Sequence, residues 1–208
     1  MPKREPFLKS EGLARDRVES FEQYPFAIPA VRHLDQLPLH PDATFFVGEN
    51  GTGKSTLLES IAVAEGFNPE GGSRHFSFET RNSHSELYES LTFERGIRPL
   101  RGSDGYFFRA ESYFNVATEI ERLDSVESGA PRVIDSYGTR SLHEQSHGES
   151  FWALVTERLG GNGIYLFDEP EAALSPARQL GLLAALHHLI GQDSQFIIAT
   201  HSPIVMAY

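Results

Sequence analysis

The sequence predicts an α/β protein: a mainly parallel sheet flanked by helices. Three observations lead there. Short apolar runs at Thr44–Val47, Ile164–Phe167 and Gln195–Ala199 have the length and content of strands buried on both faces. Stretches with apolar residues three and four apart, the period of a helix, alternate with them. That alternation of strand with helix is the pattern of parallel sheets.

Taken in order, the start to about Ser20 is polar and reads as a frayed arm. YPFAIPAVRHL reads as extended, and Pro25 and Pro29 confine it to a sheet edge. ATFFVGENGTGKSTLLESIAVAEG changes period: a strand, a glycine-rich loop, then a helix with Leu57, Leu58, Ile61 and Ala62 on its apolar face. From Asn68 to about Gly105, Gly-Gly, Asn-Ser and Arg-Pro punctuate a polar stretch of loops and short elements. Residues of about 68–130 read as a side lobe within a single domain spanning 1–208. GYFFRAES is a strand candidate, and YFNVATEIERL has a helical period through Phe114, Ala117, Ile120 and Leu123. Ser125 to His147 is loop-like. A helix of about 149–159, the strand Ile164–Phe167, a helix of about 176–190 and the strand Gln195–Ala199 follow. There is no internal repeat, low-complexity segment or heptad run.

Composition limits the function. At 208 residues, 39% hydrophobic and 23% charged, the chain is large enough for one sizeable core and has the make-up of a globular protein. No apolar run reaches the roughly 18–20 residues that span a bilayer. The charged start has no apolar h-region, and the absence of cysteine excludes disulfides and thiolate metal sites; both favour a cytoplasmic setting. A net charge of −11 excludes a uniformly basic nucleic-acid surface. Arg95, Arg98, Arg101 and Arg109 lie close together, and read as a solvated face balanced by nearby glutamates.

Three segments carry chemistry. GENGTGKST, Gly48–Thr56, fits the phosphate-loop pattern G-x-x-x-x-G-K-[ST], expected by chance about 0.01 times in such a chain. Asn50, Gly51, Thr52 and Gly53 let backbone N–H groups curl round an anion, and the helix start adds its positive end. Lys54 reaches the β and γ phosphates, Ser55 ligates Mg²⁺ and Thr56 bonds the α phosphate. IYLFDEPEAALS brings two adjacent carboxylates to a strand end: Asp168 to hold Mg²⁺ and Glu169 to take a proton from the attacking water. FIIATHSP ends the next strand in His201, well placed for an imidazole to meet a γ phosphate. His187 and His188 read as surface or packing residues, and His143 and His147 have no third ligand for zinc.

In this order the segments resemble the ABC-type ATPases, most closely the small stand-alone bacterial ATPases of the structural-maintenance-of-chromosomes and RecF type; GYFFRAESYFNVA also resembles those small ATPases. The resemblance covers most of the chain from about Tyr24 and implies a P-loop NTPase fold with ATP and Mg²⁺ as cofactors. SHGES, Ser146–Ser150, resembles a divergent form of the family signature, with His147 for its first glycine and Glu149 for its glutamine. The resemblance implies that Ser146, Gly148 and Glu149 touch ATP held by a second copy, in a head-to-tail homodimer. EAALSP resembles the segment that crosses that interface. The family's Mg²⁺-sensing glutamine has no counterpart; Glu111 is the candidate for its place as a metal ligand. Tyr24 or Phe26 is the candidate to stack on adenine, and Arg32 is a candidate phosphate contact. The family continues with further strands after the histidine, so the chain resembles a truncated or minimal version. The expected function is a Mg²⁺-dependent ATPase, with coupling to DNA maintenance or defence expected from family analogy alone. The alternatives are a nucleotide-gated interaction module with little hydrolysis, and a transporter's nucleotide-binding subunit.

Overall fold

A computed structural model describes residues 5–74, 85–99, 103–126, 129, 131–138 and 140–208. The strands are β1 (Leu8–Leu13), β2 (Gln36–Pro38), β3 (Ala43–Val47), β4 (Leu91–Arg95), β5 (Asp104–Arg109), β6 (Gly163–Asp168) and β7 (Gln195–Thr200). The helices are α1 (Pro29–Arg32), α2 (Lys54–Ala64), α3 (Tyr113–Asp124), α4 (His147–Ala153) and α5 (Pro176–Gly191).

Four strands form the parallel sheet, in the order β3-β7-β6-β5. Successive side chains of a strand point to opposite faces, and here both faces are covered. Tyr165 and Phe167 of β6 join one core cluster with Leu182 and Leu186 of α5 and with Phe151 of α4. Ile164 and Leu166 join the other, with Leu57, Leu58 and Ile61 of α2. This double burial is why β6 and β7 read as unbroken apolar runs.

The segment Leu8–Leu13 is not part of a frayed arm. It is the middle strand of a second, antiparallel sheet, β2-β1-β4. LKSEGL carries no apolar alternation, so pairing was invisible in it. A glutamine fastens the strand to the parallel sheet. Gln195, wholly buried at the start of β7, accepts from the Phe7 and Leu8 N–H groups at 2.9 and 3.0 Å. It donates to the carbonyls of Leu8 and His40 at 2.8 and 3.0 Å, so both ends of the amide are satisfied. The segment Tyr24–Leu34 is not extended: it turns and then forms α1, with Pro29 in the first turn, where no N–H is needed.

Between the two, β4 pairs with β1 and β5 closes one side of the parallel sheet. The inward face of helix α3 is shifted from the one its period predicts. Ala117 and Ile120 are buried as expected, together with Tyr113 and Val116, while Leu123 is exposed and Phe114 lies outside against the ring of His143 at 4.4 Å. Tyr113 sets this rotation: its hydroxyl donates to the Ser150 carbonyl at 3.1 Å and its ring packs on Phe108. Helix α4 continues as a π-helical turn, Leu154–Arg158.

Candidate functional site

The chain leaves β3 at Val47, curls through Gly48–Gly53 and starts α2 at Lys54. Gly51 and Gly53 have φ of +83° and +98°, a conformation glycine takes without strain. A Cβ on Gly53 would fall 2.5 Å from Cγ2 of Ile28, so the loop also packs too closely there for a side chain. Lys54 is buried, and its ammonium donates to the carbonyls of Gly48 and Glu49 at 2.8 and 3.0 Å, inside the curve of the loop. The first N–H groups of α2 have no partner within the helix and are available to an anion.

Parallel pairing delivers the other groups. Asp168 ends β6 beside Arg109 of β5 and Ala199 of β7. The Ser55 hydroxyl donates to Asp168 Oδ1 at 2.8 Å, joining residues 113 apart in sequence. Burial pushes the Asp168 carboxyl up to about 6; Glu169 and Glu111 push the same way, and the Ser55 hydrogen bond and Arg109 oppose them. Glu169 follows in the left-handed region, at φ +49°, with its N–H donating to the Ala199 carbonyl at 2.9 Å. A non-glycine residue there costs on the order of 1 kcal/mol. His201 lies just past β7, with Nδ1 3.6 Å from Glu169 Oε1.

A cavity of about 470 Å³ is lined by Asn50, Gly51, Gly53, Lys54, Ser55 and Thr56, and by Glu111, Asp168 and Glu169. Thr52 is turned away, its hydroxyl donating to the Glu49 carbonyl. Tyr24, 69% exposed, lines the cavity, whereas Phe26 packs on the core. Arg32 pairs with Glu22 instead. Glu111 reaches the cavity with an 88% exposed side chain, 3.9 Å from the Arg109 guanidinium. Among the described residues no three His, Cys, Asp or Glu side chains converge as a metal cage. The oxygen pair Ser55–Asp168 suits Mg²⁺, which takes few protein ligands and fills the rest with phosphate and water.

The segment SHGES is a self-capped helix start. Ser146 Oγ accepts from the Glu149 N–H at 3.3 Å and donates to its carboxylate at 2.7 Å. That carboxylate also accepts from the Ser146 N–H at 2.9 Å, a complete capping box. These hydrogen bonds to Ser146, side chain first, hold the Glu149 carboxyl below its ordinary value. A Cβ on Gly148 would fall 2.7 Å from the Ala173 carbonyl oxygen, so this helix start packs on the segment after the carboxylates. Ser146, Gly148 and Glu149 are not among the residues lining the cavity.

The solvated-face reading fails for Arg109. Its side chain is only 18% exposed, donates to Glu59 Oε2 of α2 at 2.6 Å and comes within 3.7 Å of Asp168 Oδ2. Arg95 pairs with Glu65, Arg98 donates to Asn162, and Arg101 lies outside the described residues. Glu59 and Ile28 were not singled out from sequence; only the fold brings them to the site.

A family model described as "AAA domain, putative AbiEii toxin, Type IV TA system" matches residues 109–207, just under half of the chain. The match takes in the carboxylates and His201 but not the phosphate loop. No curated protein matches the chain. Among solved structures, the chain is similar to an SMC head bound to the C-winged helix domain of ScpA: 13% identity, TM-score 0.40, over 83% of this chain and 86% of that one. It is also similar to the SMC head domain from Thermotoga maritima: 18% identity, TM-score 0.44, over 96% and 91%. The parallel sheet flanked by helices, the strand–loop–helix at its head and the match to an AAA-domain family over just under half of the chain fit a P-loop nucleotide-binding fold.

Proposed function

We propose that this protein is a Mg²⁺-dependent ATPase that closes on ATP as a head-to-tail homodimer. The observation that carries the reading is the Ser55–Asp168 hydrogen bond at the head of the phosphate loop, with Glu169 and His201 beside it. Lys54 and the first N–H groups of α2 bind the phosphates. Ser55 and Asp168 would hold Mg²⁺, which would supply positive charge against the transferred phosphoryl group. Glu169 accepts a proton from water as the water oxygen bonds to the γ phosphorus and the bond to the ADP oxygen breaks. His201 donates to a γ-phosphate oxygen, Tyr24 stacks on the base, and Glu111 would offer the metal a further carboxylate.

In the dimer the SHGES turn meets phosphate on the second copy. The Ser146 N–H and hydroxyl are engaged by the Glu149 carboxylate within one chain, so their contact with phosphate requires that carboxylate to swing aside. The matched family, described as "putative AbiEii toxin, Type IV TA system", supports a defence setting over transport. The same capping box favours a second reading, in which ATP holds two copies together with little hydrolysis.

Glu169→Gln tests both. The variant keeps the phosphate loop and loses the base, so its molar mass is expected to double with Mg-ATP and remain that of a monomer without nucleotide. A monomer in both conditions, with ATP bound, would overturn the sandwich. Wild-type turnover at background, with the same ATP-dependent doubling, would favour the second reading.

A further inference from the structure

The chemistry proposed above fixes a task for His201, yet the residue stands outside β7 with a half-exposed side chain. What holds it is a carboxylate that the chemistry does not use. Glu171 is buried two residues past the proposed base. Its Oε1 accepts from the Thr200 hydroxyl at 2.7 Å, from the His201 N–H at 2.8 Å and from the Ser202 N–H at 3.1 Å. The same oxygen lies 3.3 Å from His201 Nδ1. Its second oxygen is buried with no hydrogen-bond partner among the described residues.

The turn is stapled again one residue on. Ser202 Oγ donates to Gln179 Oε1 at 2.6 Å and accepts from the Ile204 N–H at 3.2 Å. Gln179 in turn donates to the Leu174 carbonyl at 3.2 Å. The chain after the carboxylates and the turn after β7 are therefore tied to each other by hydrogen bonds.

Backbone N–H groups alone could be met by a neutral acceptor. A buried carboxylate is a costly choice unless a further group uses its charge. That group is the imidazole: a negative oxygen 3.3 Å from Nδ1 selects the form with its proton on Nδ1, so that Nε2 is an acceptor in the neutral ring and donates to a phosphate oxygen only once it too carries a proton. We propose that Glu171 is the positioning residue for His201, fixing both the place of the ring and its tautomer. The inference rests on the ATPase reading for its consequence in turnover, but not for the tautomer.

The first test needs no ATP. In protein labelled with ¹⁵N-histidine, the long-range proton–nitrogen spectrum gives each ring's tautomer, and His201→Ala identifies the signal. His201 is expected as the Nδ1–H form in wild type and to become mixed both in Glu171→Gln, which removes the charge, and in Glu171→Ala. A His201 signal of the other tautomer, or one unchanged in Glu171→Ala, would overturn the proposal. Glu171→Asp, shorter by one methylene, takes the alanine variant's place if that does not fold, with the same outcomes.

The second test is a cycle with His201→Ala. Glu171→Ala is expected to lower kcat on the order of 10²-fold, with Kd for ATP changed less than about threefold. In the His201→Ala background it should cost less than about threefold more. Equal losses in both backgrounds would give Glu171 a general structural role and overturn the proposal. A wild-type protein without turnover would sink the ATPase reading, while the spectrum would still decide on Glu171.

Discussion

Asp168 must carry a charge where the fold resists one. Its folded carboxyl is raised from an ordinary 3.8 to about 6, chiefly by burial. A raised folded value means that the native state holds the proton more tightly than the unfolded chain. The contribution to stability is whole below pH 3.8 and is lost as pH rises through 6. Asp168→Asn keeps an acceptor for Ser55 and removes the charge. In metal-free protein it is expected to raise stability at pH 7.5 by on the order of 2 kcal/mol, with a gap that closes between pH 6 and 4. Urea unfolding at several pH values measures it; a gap independent of pH would mean that the charge is not the cause. Lys54, Ser55, Asp168 and Glu169 were legible in the sequence because each belongs to a short local pattern. Arg109 and Glu171 were not, because their partners lie on neighbouring strands: Arg109 meets Asp168 by register, and Glu171 meets the turn of β7. Spacing along the chain carries no trace of such meetings.

At the scale of elements, the apolar strands and long helices were readable, and the antiparallel sheet was not. Strand β1 hides itself by carrying Lys9, Ser10 and Glu11 in its middle. Glu11 is 1% exposed, and both its oxygens lack a hydrogen-bond partner among the described residues. Burial pushes its carboxyl up to about 8 from an ordinary 4.5. Here too stability is whole below pH 4.5 and is lost as pH rises through 8. Glu11→Gln is expected to unfold later than wild type at pH 8.5, by on the order of 3 kcal/mol, and at nearly the same denaturant concentration at pH 5. A variant that is weaker at both pH values would reveal a partner for the carboxylate. The α3 face shows the reverse limit: a helical period was visible there, but its rotation depends on Tyr113 reaching the Ser150 carbonyl, a tertiary contact.

At the scale of the molecule, the sheet sorts the proposed machinery into two surfaces. The phosphate loop, Asp168, Glu169 and Tyr24 line one cavity, and SHGES stands apart from it. If the separation is bridged by a second copy, each site takes its phosphate loop from one chain and its SHGES turn from the other. Two defective chains should then repair each other. Lys54→Ala removes the phosphate contact on one side, and Ser146→Arg sets a bulky side chain on the other. Each is expected to lack turnover alone. In an equal mixture half of the dimers pair one variant with the other, and each such dimer has one site with both surfaces intact. Turnover of roughly a quarter of wild type is therefore expected from a two-fold symmetric assembly with independent sites. Recovery that rises with total protein concentration would reflect the association step itself. An inactive mixture of two folded variants would place the whole phosphate site within one chain, and would leave the capping box of Ser146 and Glu149 as a helix cap and nothing more.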